Sequence, residues 1–186
     1  MSTDGFPYPA IGFIESSSIA RGIDATDAML KKAGVELLMT TIGPRGKYLI
    51  MINGSVADVE ASLRAGLESA EGVVLDSFII QNVHPTLPAA IRGRVKVERI
   101  EAVGLIETKE VAPAIFAGDV AVKAAEVTLI EARNQPGGKG LVVLTGEVGA
   151  VRSAIAAAVA SVKSGMLISE VVIPYAHPSL RASLTS

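Results

Sequence analysis

Apolar positions along the chain follow first a strand rhythm, then a helix rhythm, and the whole succession is played twice. "AIGFIES", from Ala10, is a short and mostly apolar run of strand length. From about Ala20 to Ala33 the spacing becomes helical, placing Ile19, Ile23, Leu30 and Ala33 on one broad face. "VELLMTT" and "KYLIMIN" return to strand character, and the turn-rich "IGPRG" joins them as a hairpin. A second helix follows, with Ser55 as N-cap and Asp58 three residues on. Val56, Val59, Leu63 and Leu67 give it an apolar face. A closing strand, "VVLDSFIIQNV", leads to His84-Pro85 and a short terminal segment.

The same order begins again at Ala102, 92 residues after Ala10. Residues 10–35 and 102–127 agree at 11 of 26 positions, where roughly two matches arise by chance at ordinary residue usage. The matches include Gly12/Gly104, Glu15/Glu107, Asp27/Asp119, Lys31/Lys123 and Ala33/Ala125. The register holds through Gly46-Lys47 against Gly138-Lys139 and Gly54 against Gly146. One added residue then brings "HPTL" from His84 opposite "HPSL" from His177. In the second copy Pro113 stands near the first turn of its helix, where the missing N–H is harmless. Val148, Val151, Ile155 and Val162 repeat the second helix's apolar face. Similar segments fold alike, and duplicated units usually pack side by side. Each copy therefore reads as βαββαβ, an α+β, ferredoxin-like arrangement with both helices on one face of an antiparallel sheet. The other face needs cover.

Composition narrows the function classes. Hydrophobic residues make up 49% of the 186 residues while aromatics are only 4%, so the apolar content lies in small side chains suited to wide, close contacts. That favours an oligomer over a monomer with a large exposed patch. A net charge of −2 gives no electrostatic reason to expect nucleic acid. The longest apolar stretch, "SAIAAAVASV", is too short to cross a bilayer, which takes roughly 18 residues. "MSTDGFPYP" lacks the basic region and apolar core of a secretion signal. Without cysteine there is no disulfide and no thiolate ligand for zinc or an iron–sulfur cluster. The expectation is a cytoplasmic, soluble, oligomeric protein that binds neither membrane nor nucleic acid.

No catalytic constellation is apparent. His84 and His177, the only histidines, each precede proline, and no Ser/His/Asp set or metal-ligand spacing accompanies them. Glu15 and Glu107 read as structural hydrogen-bond acceptors at strand ends rather than general bases. "GPRGK" lacks the GxxxxGK[ST] spacing, and the helix that should follow it, of a phosphate loop. The expectations are no enzyme, no metal and no cofactor.

"AIGFIES…IARGIDATDAMLKKAGVELL" and "AVGLIET…VAPAIFAGDVAVKAAEVTL" both resemble the opening of a bacterial microcompartment shell domain. So do the turn-Gly-Lys hairpins, the "GSVADV" and "GEVGAV" entries to the second helix, and the strand ending in "HP". The resemblance covers residues 10–92 and 102–184 and leaves 1–9 as an extension, either a loose tail or a contact arm. Two such domains in one chain resemble the tandem-domain trimeric shell proteins of the propanediol-utilisation type. It implies a pseudo-hexameric homotrimer, with six domains around a central opening, tiling into a shell facet beside hexameric and other shell proteins. A small-molecule-binding regulatory trimer of ferredoxin-like domains is the alternative.

The resemblance also assigns residues. The hairpins Ile42-Gly43-Pro44-Arg45-Gly46-Lys47 and Asn134-Gln135-Pro136-Gly137-Gly138-Lys139 would line the opening. Arg45, Lys47 and Lys139 would make it cationic, favouring anionic or polar metabolites; read without the family, both are ordinary turns with solvated charges. Lys31 and Lys123 match a lysine at the edge where tiles meet, and His84 and His177 are counted with the same edge. The arginine two residues before each histidine is replaced here by Asn82 and Tyr175, which points to modified tiling. Some members place a cysteine near Gly43 to hold an iron–sulfur cluster; its absence argues against one here.

Overall fold

The computed structural model describes residues 10–185. The extension expected over residues 1–9 lies outside them. The chain divides into two compact units, one ending at Pro85 and the other starting at Thr86.

The first unit runs β1 (Ala10–Ser16), α1 (Ile19–Lys32), β2 (Glu36–Ile42), β3 (Tyr48–Gly54), α2 (Val56–Ser69) and β4 (Val74–Gln81). Its sheet has the order β2-β3-β1-β4 with antiparallel neighbours throughout. The second unit begins with α3 (Leu87–Arg92) and continues β5 (Ala102–Thr108), α4 (Val111–Ala124), β6 (Thr128–Asn134), β7 (Gly140–Gly146), α5 (Val148–Ser161), β8 (Leu167–Ile173) and α6 (Leu180–Thr185). Its sheet order, β6-β7-β5-β8, is the same pattern. Both units are the expected ferredoxin-like βαββαβ fold.

Local chemistry explains where the helices start. Ser55 caps α2 as the spacing predicts: its hydroxyl accepts from the Asp58 N–H at 3.2 Å and donates to the Asp58 carboxylate at 2.6 Å. In α5 a longer side chain does this work, with Glu147 Oε2 accepting from the N–H groups of Gly149 and Ala150. The repeated Gly12 and Gly104 have a packing reason. A Cβ on Gly12 would lie 2.9 Å from Val59, and one on Gly104 2.8 Å from Ile155, so only glycine lets the second helix close on the central strand.

One helix face departs from expectation. In α1 the buried residues are Gly22, Ala25, Thr26 and Met29, while Ile23 and Leu30 face out. The apolar face drawn through Ile19, Ile23, Leu30 and Ala33 is therefore corrected at Ile23 and Leu30, while Ile19 packs against the core. The close approach of β3 explains the shift: a Cβ on Gly22 would meet Tyr48 Cδ1 at 2.5 Å, so the smallest residue marks the inner face. The second copy inverts this contact, with Ala114 on the helix and Gly140 on the strand.

The second unit also shows how the sheet's other face is covered. Val103, Ile130 and Val143 lie beneath Val97, Ile100, Ala176 and Leu184. The Val95 N–H donates to the Ile130 carbonyl at 2.8 Å, supplying a partner to the outer edge of β6. Segment 86–92, read as the tail of the first copy, groups with this second unit and packs α3 against β6 and α4.

Candidate functional site

The two hairpins are built on one plan. Gly43 N–H donates to the Lys47 carbonyl at 2.8 Å, and Gln135 N–H donates to the Lys139 carbonyl at the same distance. The tips differ. Gly137 and Gly138 take φ values of 87° and 86°, whereas in the first hairpin Gly46 (φ 73°) is preceded by Arg45 at φ 62°. A non-glycine residue in that left-handed region costs about 1–2 kcal/mol, so the first loop keeps a guanidinium where its twin uses glycine. Arg45 and Ile42 are exposed, as are Pro136 and Gly137, while Pro44, Asn134 and Gln135 are half-buried.

The lysines closing the hairpins do not act as solitary cations. Lys47 Nζ donates to Glu15 Oε1 at 2.8 Å, with Glu15 fully buried and the Lys47 side chain 8% exposed. Lys139 Nζ pairs with Glu107 at 2.7 Å, and there the side chains are 48% and 34% exposed. The antiparallel β1–β3 and β5–β7 pairings produce both contacts, bringing strand end and hairpin base together. Sequence reading placed each glutamate and each lysine separately. The signal that links them is their shared 32-residue separation in both copies.

A further cluster went unread. Glu131 on β6 is buried, and its carboxylate is met by Arg94 at 2.8 Å, by Arg133 at 3.1 Å and by the Gln135 amide. A glutamate inside "VTLIEAR", where the first copy has Met39, is the sequence trace of this network. It ties the segment before β5 to the base of the second hairpin.

The residues expected at tile edges lie in two settings. Lys31 pairs with Asp27 at 2.6 Å on an exposed helix surface, with side chains 75% and 58% exposed. Lys123 pairs with Asp119, whose side chain is buried. Asn82 is exposed at φ 52°, a conformation asparagine tolerates better than most residues. Tyr175 is 86% exposed. His84 is half-buried, and His177 accepts from the Ser179 N–H at 3.3 Å through Nδ1, a local turn contact. Among the described residues no group of three or more His, Cys, Asp or Glu is placed to hold a metal ion, and no helix is long and apolar enough to cross a membrane.

A sheet-and-two-helix unit used twice, each copy carrying a turn-Gly-Lys hairpin clamped by a strand-end glutamate, defines a class that comparison with known proteins identifies. The BMC domain matches residues 10–83 and again 102–176. The chain belongs to the BMC-domain family and is a bacterial microcompartment shell protein. It is 41% identical over 175 residues to the bacterial microcompartment shell protein PduT of Citrobacter freundii, covering 92% of this chain and 95% of that one. A crystal structure of a microcompartment protein from Desulfitobacterium hafniense superposes with a TM-score of 0.83 at 45% identity, over 93% of this chain and 98% of that one. A fused permuted hexameric shell protein of the RMM microcompartment gives a TM-score of 0.64 at 26% identity, over 82% and 80% of the two chains. Two of these relatives are shell proteins and the third is a microcompartment protein, and nothing in them supports the regulatory alternative.

Proposed function

We propose that three copies of this chain close into a pseudo-hexameric facet tile of a cytoplasmic bacterial microcompartment, without enzymatic activity, with the two hairpins lining a central pore. The observation that carries the reading is the tandem repeat. Two equivalent units, each ending a hairpin in the same Gly43-to-Lys47 or Gln135-to-Lys139 bond, supply two kinds of loop that alternate three times around one axis. Shell neighbours are hexameric and other tiles of the same compartment, met through edges that include Lys31, Lys123, Asn82, Tyr175, His84 and His177.

The charges of Lys47 and Lys139 are matched by Glu15 and Glu107, so those lysines brace the loops more than they charge the opening. Arg45, exposed at the tip of the first hairpin at a φ of 62°, adds positive charge to a rim that favours small polar or anionic metabolites.

Sedimentation of the purified chain tests the tile: a species of three times the chain mass is expected, and electron microscopy alone or with hexameric tiles should show sheets. A monodisperse monomer overturns it. Arg45→Gln should lower the anion preference of the pore in planar bilayers without changing the assembled mass.

A further inference from the structure

A sheet whose helices cover one face leaves its other face to be sealed by something else. In the first unit the helices take the face of Gly12 and Ile14. Side chains alternate along a strand, so Ile11 and Phe13 point to the outer face, joined there by their cross-strand partners Met51, Ile80 and Phe78. Phe13 and Phe78 stack with ring centroids 4.9 Å apart. Ile11, Phe13, Met51 and Ile80 are each no more than 3% exposed. Water is thus excluded from a face that α1 and α2 do not cover.

The second copy shows what seals the matching face. There Val97 and Ile100, in the stretch just before β5, pack on Val103, Ile130 and Val143. The Glu101 N–H donates to Thr145 Oγ1 at 3.4 Å. At the 92-residue offset the underlying residues become Ile11, Leu38 and Met51, and Ile100 becomes Tyr8. Glu101 becomes Pro9, and Thr145 becomes Asn53. The exchange at residue 9 removes an N–H. Asn53 is 1% exposed, and its Oδ1 has no hydrogen-bond partner among the described residues. A buried acceptor left alone calls for a reason, and a cover that strips its water without returning a donor is what a proline supplies.

The sequence before β1 suits this place. Phe6 and Tyr8 are aromatic in a chain with only 4% aromatic residues. Each precedes a proline, which restricts it to extended backbone and lowers the entropy lost on docking. Nine residues reach at most about 30 Å, and four strands at a spacing of about 4.8 Å are crossed well within that length. We infer that residues 5–9 fold back from β1 across the outer face of their own unit's sheet, with Tyr8 over Ile11 and Met51 and Pro9 over Asn53. The occupant is the chain's own amino-terminal segment, used as residues 97–101 are used in the second copy.

The chain has no cysteine, so a double variant reports on one contact. Full-length protein carrying Tyr8→Cys and Met51→Cys, oxidised with diamide, should lose both free thiols and still run as a single chain on a non-reducing denaturing gel. Thiols that stay free, or a disulfide that joins two chains, overturn the inference. Separately, Phe6→Ser with Tyr8→Ser should raise the fluorescence of added anilinonaphthalene sulfonate several-fold above wild type while the far-ultraviolet circular dichroism is unchanged. Fluorescence equal to that of wild type overturns it as well.

Discussion

Lys47 with Glu15 and Lys139 with Glu107 are the same ion pair at the same spacing, yet one is sealed from water and the other is partly wet. The helices divide the opposite way: α1 of the first copy buries four of its fourteen residues and α4 of the second buries ten. Duplication therefore copies contacts but not their energies. A charge pair or an apolar face is worth what its surroundings make it: α3 covers α4 and not α1, while the sealed ion pair lies in the first unit, away from that cover.

Paired substitutions sharpen that comparison. The largest expected effect is Lys47→Ala, which strands the Glu15 carboxylate in the interior and should cost about 3–5 kcal/mol in urea unfolding. Lys139→Ala should cost well under about 1 kcal/mol, because water and salt already screen its partner. Equal losses would erase the distinction between the copies. Next comes Ile115→Ala, expected to cost about 2–4 kcal/mol at every protein concentration. Ile23→Ala should leave the dilute chain within about 0.5 kcal/mol of wild type and instead weaken the rise of Tm with protein concentration.

The inverted helix–strand contact gives a smaller effect. Gly22→Ala forces a methyl against Tyr48 and should cost about 1–3 kcal/mol. Ala114→Gly, which restores glycine at the matching position of α4, should cost only about 0.5–1 kcal/mol through backbone entropy. Thermal melts of the two variants check the order. The cap ranks below the Gly22 clash: Ser55→Ala should lose about 1 kcal/mol, and Ser55→Asp should recover most of it.

Much of this was legible along the chain. Strand and helix lengths, the Ser55 cap and the twofold repeat are written in residues that act within one turn or at one fixed offset. The apolar face of α1 was misread because Ile23 and Leu30 satisfy helical spacing as well as Met29 does. The decisive cue was Gly22, small because Tyr48 presses on it, and that pressure comes from a strand some 26 residues away in the chain. The hairpin lysines were legible as residues and not as partners, since Glu15 reaches Lys47 only once β1 and β3 lie side by side. Glu131 was visible as a lone charge in an apolar strand, but the arginines that neutralise it come from both sides of it in sequence.

By itself the sequence determined that there are two units, which elements each contains and where the helices begin, because periodicity, capping and repetition are properties of neighbours along the chain. Only the tertiary structure decided which of two matching apolar faces is covered, which lysine is buried with its glutamate, and that the tail of the first copy belongs to the second unit. Burial is set by whatever arrives from elsewhere in the chain, and no residue carries that information alone.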